Sequence, residues 1–174
     1  RLPALDRAYR LAPDEVARFR QEGHVRLRRV ATADEVSAYR PAILDARERF
    51  GPEATPLEQR DTYGRAFLKG MNLWTKDERV RRWVLARRFG QIAADLLGVE
   101  AVRVYHDQAL LKEPGGGLTP WHQDQHYWPL ATESGTYTLW AYYPTLNDQT
   151  LYSAVNDFVE PKLKQVSADA QALR

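Results

Sequence analysis

The sequence contains no cysteine among its 174 residues. That excludes a disulfide framework and any thiolate metal site, so a bound metal has to be held by His, Asp or Glu. No window approaches the roughly 20 uncharged apolar residues that cross a bilayer, and the start, Arg1-Leu2-Pro3, lacks the apolar run of a secretory signal. These absences lead to the expectation of a soluble, cytoplasmic protein with no membrane partner. An excess of one charge is missing too: 25 basic residues stand against 23 acidic ones, a formal net charge of +2. Such balance implies no nucleic-acid partner. No internal repeat or interdomain linker interrupts the chain. A hydrophobic fraction of 44% is enough for one core, so a single domain over 1–174 is expected.

What is present begins with helices. Pro13, Asp14 and Glu15 suit a first turn, Val16 and Phe19 give an apolar stripe, and Gly23 stops it. His24-Val25-Arg26-Leu27 alternates as a short strand does. Thr32 with Glu35 three residues later is a capping-box arrangement, predicting a helix to about Phe50. Gly51 to Pro56 forbids regular structure, and Tyr63 to Leu68 reads as a strand. Helices are predicted over Asp77 to Arg87 and Phe89 to Leu97, the second closed by Gly98. The run Arg79, Arg81, Arg82, Arg87 and Arg88, interleaved with apolar residues at near-helical spacing, reads as a solvated helix face rather than a phosphate-binding stripe. Ala101 to Lys112 is rich in β-formers and free of glycine and proline, which predicts a strand, with another at Tyr137 to Tyr143. Between them, Pro114-Gly115-Gly116-Gly117 is expected to be a mobile loop or to border a pocket. Helices followed by strands give an α+β chain, helical over about 1–100.

The segment with chemistry is Trp121-His122-Gln123-Asp124-Gln125-His126-Tyr127-Trp128-Pro129. Residues two apart in a strand share a face, so His122 and Asp124 can present an imidazole nitrogen and a carboxylate oxygen to one point. A distant histidine would complete a triad of two His and one carboxylate that leaves metal positions open. Read alone, a His-x-Asp tripeptide is weak evidence, and a hydrogen-bonded surface histidine satisfies it equally. Its context is the stronger signal: a predicted strand and a triple-glycine loop precede it, and an aromatic cluster and a strand with Trp140 follow.

Leu110-Leu111-Lys112-Glu113-Pro114-Gly115-Gly116-Gly117, then Thr119 to Pro129, then Thr138-Leu139-Trp140-Ala141, resembles the core of the phytanoyl-CoA dioxygenase family. Asn72-Leu73-Trp74 and Ala94-Asp95-Leu96-Leu97-Gly98 are similar to the region upstream, so the resemblance covers roughly Gly23 to Pro144. It implies a double-stranded β-helix, or jelly roll, with a cupin-like core over about 101–174 braced by the N-terminal helices. It also implies an oxygenase using Fe(II), with 2-oxoglutarate and O2 as co-substrates, which oxidises a C–H bond of a small organic molecule and releases succinate and CO2. His122 and Asp124 match the family's first two metal ligands.

The family carries a second histidine several tens of residues later, and an arginine further on for the distal carboxylate of 2-oxoglutarate. Here no histidine follows His126, and Arg174 is the one later arginine. The expectation is that the native protein has segments absent from this sequence. The alternative is a broken triad, and with it an inactive member of the fold that binds a small molecule without turnover. His126, His106 and His24 are weaker ligand candidates, each readily explained as a structural histidine.

Co-substrate contacts are expected from Gln108 on the strand before the loop, from Lys69 and Asn72 upstream, and from Trp140 beside the metal. Mutual hydrogen bonding and ordinary core packing explain Gln108 and Trp140 equally well. A zinc hydrolase using His122, Asp124 and His126 fits the donor types but lacks the His-Glu-x-x-His helix of common zinc proteases. The aromatic residues Trp121, Tyr127, Trp128, Trp140, Tyr142 and Tyr143 suit an apolar or ring-containing substrate.

Overall fold

In the computed structural model the described residues are 1–53 and 55–118. Helix α1, Pro13–Glu22, starts where Glu15 turns back to accept the Ala12 N–H at 2.8 Å, and ends on Gly23, whose φ of 75° lets its N–H reach the Phe19 carbonyl. The alternating stretch after it forms no strand. Alternation favours one-sided burial, but a ladder needs a partner, and among the described residues none lies alongside 24–27.

Helix α2, Ala33–Phe50, opens on the predicted capping box: Glu35 N–H donates to the Thr32 hydroxyl, and the Glu35 carboxylate accepts the Thr32 N–H. Tyr63 to Leu68 is not a strand throughout. After a 3₁₀ turn at Leu57–Gln59, the Asp61 side chain accepts the Gly64 N–H at 2.6 Å and nucleates helix α3, Thr62–Ala66. Strand β1, Leu68–Met71, begins only beyond it. Helices α4, Glu78–Val84, and α5, Arg87–Leu97, follow, parted at Ala86, whose backbone is non-helical. Gly98 closes α5 at a φ of 69°. Strand β2 is Gln108–Leu111, the last third of the predicted run. Its partner β1 is four residues long, so residues 101–107 have no strand beside them among the described residues.

Two apolar clusters share α2. Leu5, Tyr39, Ala86 and Phe89 form one, in which Trp83 lies 5.1 Å from the Tyr39 ring and 5.2 Å from Phe89. Ala46, Leu73 and Val80 form the other, joined by Phe50, Trp74 and Ala109. Ile43 packs against both. The basic run divides in a way that periodicity did not predict. Arg88 is only 4% exposed, because its guanidinium takes both Glu35 oxygens at 2.8 Å and donates to the Arg7 and Val30 carbonyls. Arg79 pairs with Asp77 and Asp45. Arg81 lies over the Trp74 ring.

β1 and β2 pair antiparallel, Leu68 opposite Leu111 and Met71 opposite Gln108. One face of this ribbon meets the helices: Ala109 joins the second cluster, and Arg47 Nε donates to the Lys69 carbonyl. Gly70 is there because a Cβ would come within 3.0 Å of Leu73 Cδ1 and 3.1 Å of Arg47 Cγ. Both neighbours are buried and would have to give way by a few tenths of an ångström. Gly70→Ala is therefore expected to lower stability by about 1–3 kcal/mol, measured by urea unfolding. A neutral result would mean that this face is loosely packed.

Candidate functional site

Alternation along the ribbon places Lys69 and Met71 of β1 with Gln108 and Leu110 of β2 on the face opposite Gly70 and Ala109. Lys69 stands opposite Leu110, so Gln108 is its diagonal neighbour, roughly 7–8 Å away between backbones. Asn72 ends β1 with a left-handed φ of 53°. Its N–H donates to the Asp107 carbonyl, and its own carbonyl accepts both the N–H and the hydroxyl of Thr75. Of the sequence-derived co-substrate residues, Gln108 and Asn72 thus lie at one end of the sheet, and Lys69 lies on the same face as Gln108 toward the other end. His122, Asp124 and Trp140 lie outside the described residues.

Lys69 is the most informative of the three. Its ammonium sits 3.7 Å from the centre of the Tyr63 ring, and no carboxylate among the described residues is within ion-pair distance. Burial pushes its pKa down, with Asp61 opposing weakly at longer range. A partly desolvated cation without a carboxylate partner is suited to an anionic ligand. On the same face the Gln108 amide meets the His106 ring, Nε2 to Nε2, at 2.9 Å.

Sequence reasoning passed over Asp107. Its carboxylate accepts the Trp74 N–H at 3.0 Å, and burial pushes its pKa up against that hydrogen bond. Together with the bond from Asn72, this contact fixes the turn after β1 to the start of β2. The partner of Asp107 lies 33 residues away, so no local pattern announces it.

Among the described residues no three His, Asp or Glu side chains cluster closely enough to hold a metal. By residue type, His122 and Asp124, both outside the described residues, offer one borderline nitrogen and one hard oxygen, two of the three donors of a two-histidine, one-carboxylate Fe(II) site, and the sequence has no cysteine to favour thiolate-seeking metals.

A family model described as Phytanoyl-CoA dioxygenase (PhyH) matches residues 19–148, from α1 through both candidate metal ligands. No curated protein and no solved structure matches the chain.

Proposed function

The chain belongs to the phytanoyl-CoA dioxygenase family, whose members are typically dioxygenases that use Fe(II), 2-oxoglutarate and O2, and we propose from this that it oxidises a C–H bond of a small apolar or ring-containing molecule, releasing succinate and CO2. The carrying observation is that the family match spans His122 and Asp124 together with the strand residues Lys69 and Gln108. In this reading residues 1–174 belong to one domain, and β1 and β2 are two strands of its jelly roll.

His122 and Asp124 would hold the metal. Fe(II) bound there supplies O2 activation coupled to conversion of 2-oxoglutarate into succinate and CO2. The chain's own work is placement and charge. Lys69 neutralises a carboxylate of 2-oxoglutarate, Gln108 and Asn72 add polar contacts, and Trp140 walls the site. Tyr63 holds the Lys69 ammonium in position through its ring and limits its hydration.

The direct test is to load the full-length native protein with Fe(II) under anaerobic conditions, then admit O2 and screen small molecules for stimulated succinate release. Lys69→Met should raise the KM for 2-oxoglutarate by about ten- to a hundredfold, the worth of one charge-assisted hydrogen bond, with a smaller change in kcat. An unchanged KM would remove Lys69 from the co-substrate site.

A further inference from the structure

Lys69 has a second cation beside it. It stands opposite Leu110, and Leu110 and Lys112 share a face by alternation, so Lys112 is its diagonal neighbour on the side away from Gln108, roughly 7–8 Å off between backbones. Lys112 falls one residue past the ladder, and the same register puts Phe67 across from it. The side chains agree: the Lys112 ammonium lies 4.2 Å from the centre of the Phe67 ring, as the Lys69 ammonium lies over Tyr63. Tyr63 belongs to α3 and Phe67 is its C-cap residue, so one short helix supplies both rings.

Neighbouring carboxylates are committed elsewhere. Glu113, next in the chain, pairs with the Arg60 guanidinium through both oxygens. Asp61 accepts the Gly64 N–H and acts on Lys69 only at longer range. Among the described residues neither lysine has a carboxylate within ion-pair distance. What Lys112 does hold is the Gly117 carbonyl, to which Nζ donates at 2.8 Å. The Gly117 N–H donates in turn to the Arg65 carbonyl at 2.8 Å. The glycine stretch, expected to be mobile or to border a pocket, is thus pinned to α3 at Gly117 and orients this ammonium.

Burial pushes the pKa of both lysines down, because each charged form has lost part of its hydration. Two like charges side by side on a ribbon repel, and shielding from water strengthens the repulsion. The ring faces offset part of this, yet a ring carries no net charge. An oxyanion between the two ammonium groups would cancel the repulsion and accept charge-assisted hydrogen bonds from both. Lys112 is exposed and Lys69 half-buried, which leaves the pair open to a ligand.

We propose that Lys112 is a second cationic residue of the Lys69 site, and that the two lysines together receive a single oxyanion group of a small molecule. This rests on reading Lys69 as an anion-binding residue. The group is either a carboxylate of 2-oxoglutarate or a phosphate carried by the substrate, and one set of titrations tells them apart.

Titrating the metal-free full-length protein calorimetrically with 2-oxoglutarate, and separately with inorganic phosphate, reads the site without turnover. For the probe that binds, Lys112→Met should weaken affinity about tenfold, near the lower end for a hydrogen bond to a charged group, and Lys112→Arg should keep most of it. Wild-type affinity in Lys112→Met, alongside weakened binding in Lys69→Met, overturns the role of Lys112 and spares that of Lys69. If both variants keep wild-type affinity, the reading of Lys69 falls and this proposal with it. Phosphate binding that depends on both lysines, without binding of 2-oxoglutarate, supports the two-lysine site and removes the co-substrate from it. Failure of wild type to bind either probe at millimolar concentration defeats the site. Should Lys112→Met lower the Tm markedly, Lys112→Arg decides: regained affinity supports the proposal, and a regained Tm without affinity ends it.

Discussion

Replacing Asp124 by Ala is expected to reduce Fe(II)-dependent succinate formation by the full-length native protein to the metal-free background, with the fold nearly intact. In the proposed site the carboxylate neutralises part of the metal's charge and fixes which positions stay open, so its loss falls on chemistry rather than on core packing. The metal-free variant could even gain stability, since an anionic carboxylate with no cation to satisfy it is unfavourable. The competing account makes Asp124 a turn anchor with backbone hydrogen bonds; removal would then cost roughly 1–3 kcal/mol and lower the Tm. Succinate assay and thermal unfolding on one sample separate the two. Undiminished turnover in the variant ends the metal-ligand assignment, whatever its stability.

Arg88→Leu carries the largest expected stability effect. The substitution removes both bonds to Glu35 and leaves that carboxylate, whose side chain is 12% exposed, without its cation. It also frees the carbonyls of Arg7 and Val30. Breaking a buried pair on one side costs about 3–5 kcal/mol. At about 2–4 °C per kcal/mol, a Tm lower by about 6–20 °C is expected. The pair also sets a pH dependence. Hydrogen bonding to Arg88, with help from the Thr32 N–H, lowers the Glu35 pKa from 4.5 to about 2 despite burial. Because the folded value is the lower one, the stabilisation is complete above pH 4.5 and is lost as pH falls toward 2. Urea unfolding at pH 6 and pH 3 should show a steeper acid loss for wild type than for Glu35→Gln. Parallel losses would show that Glu35 does not carry it.

Much of the helical layer was legible because its signals are local. Thr32 with Glu35, Pro13 before an acidic turn, and the terminal glycines Gly23 and Gly98 each act within a few residues, and all appear where expected. Strands fared worse, since a strand exists only where a partner runs beside it. His24 to Leu27 has the right alternation and no ladder, and Ala101 to Lys112 is a strand only across from β1. The Asp61 cap was in the sequence and was outweighed by the β-forming residues after it. For the site, residue chemistry pointed to Lys69, Asn72 and Gln108, and the ribbon places Lys69 and Gln108 on one face with Asn72 at the end of β1. The contact that organises the turn beside Asn72 and Gln108, Asp107 with Trp74, spans 33 residues and leaves no local trace. Arg88 was read as solvated for the same reason, as its partner Glu35 is 53 residues away.

The pairing of β1 with β2 also bears on the order in which the chain assembles. These strands flank α4 and α5, so the ribbon closes around a long loop whose entropy is lost before any ladder bond forms. The helices and their caps need only neighbouring residues and form much sooner. Contacts that knit the ribbon to α2 are therefore absent from most of the climb to the folding barrier. The destabilisation from Gly70→Ala should accordingly appear as faster unfolding with little change in the folding rate, which makes the ribbon a determinant of how long the native state persists.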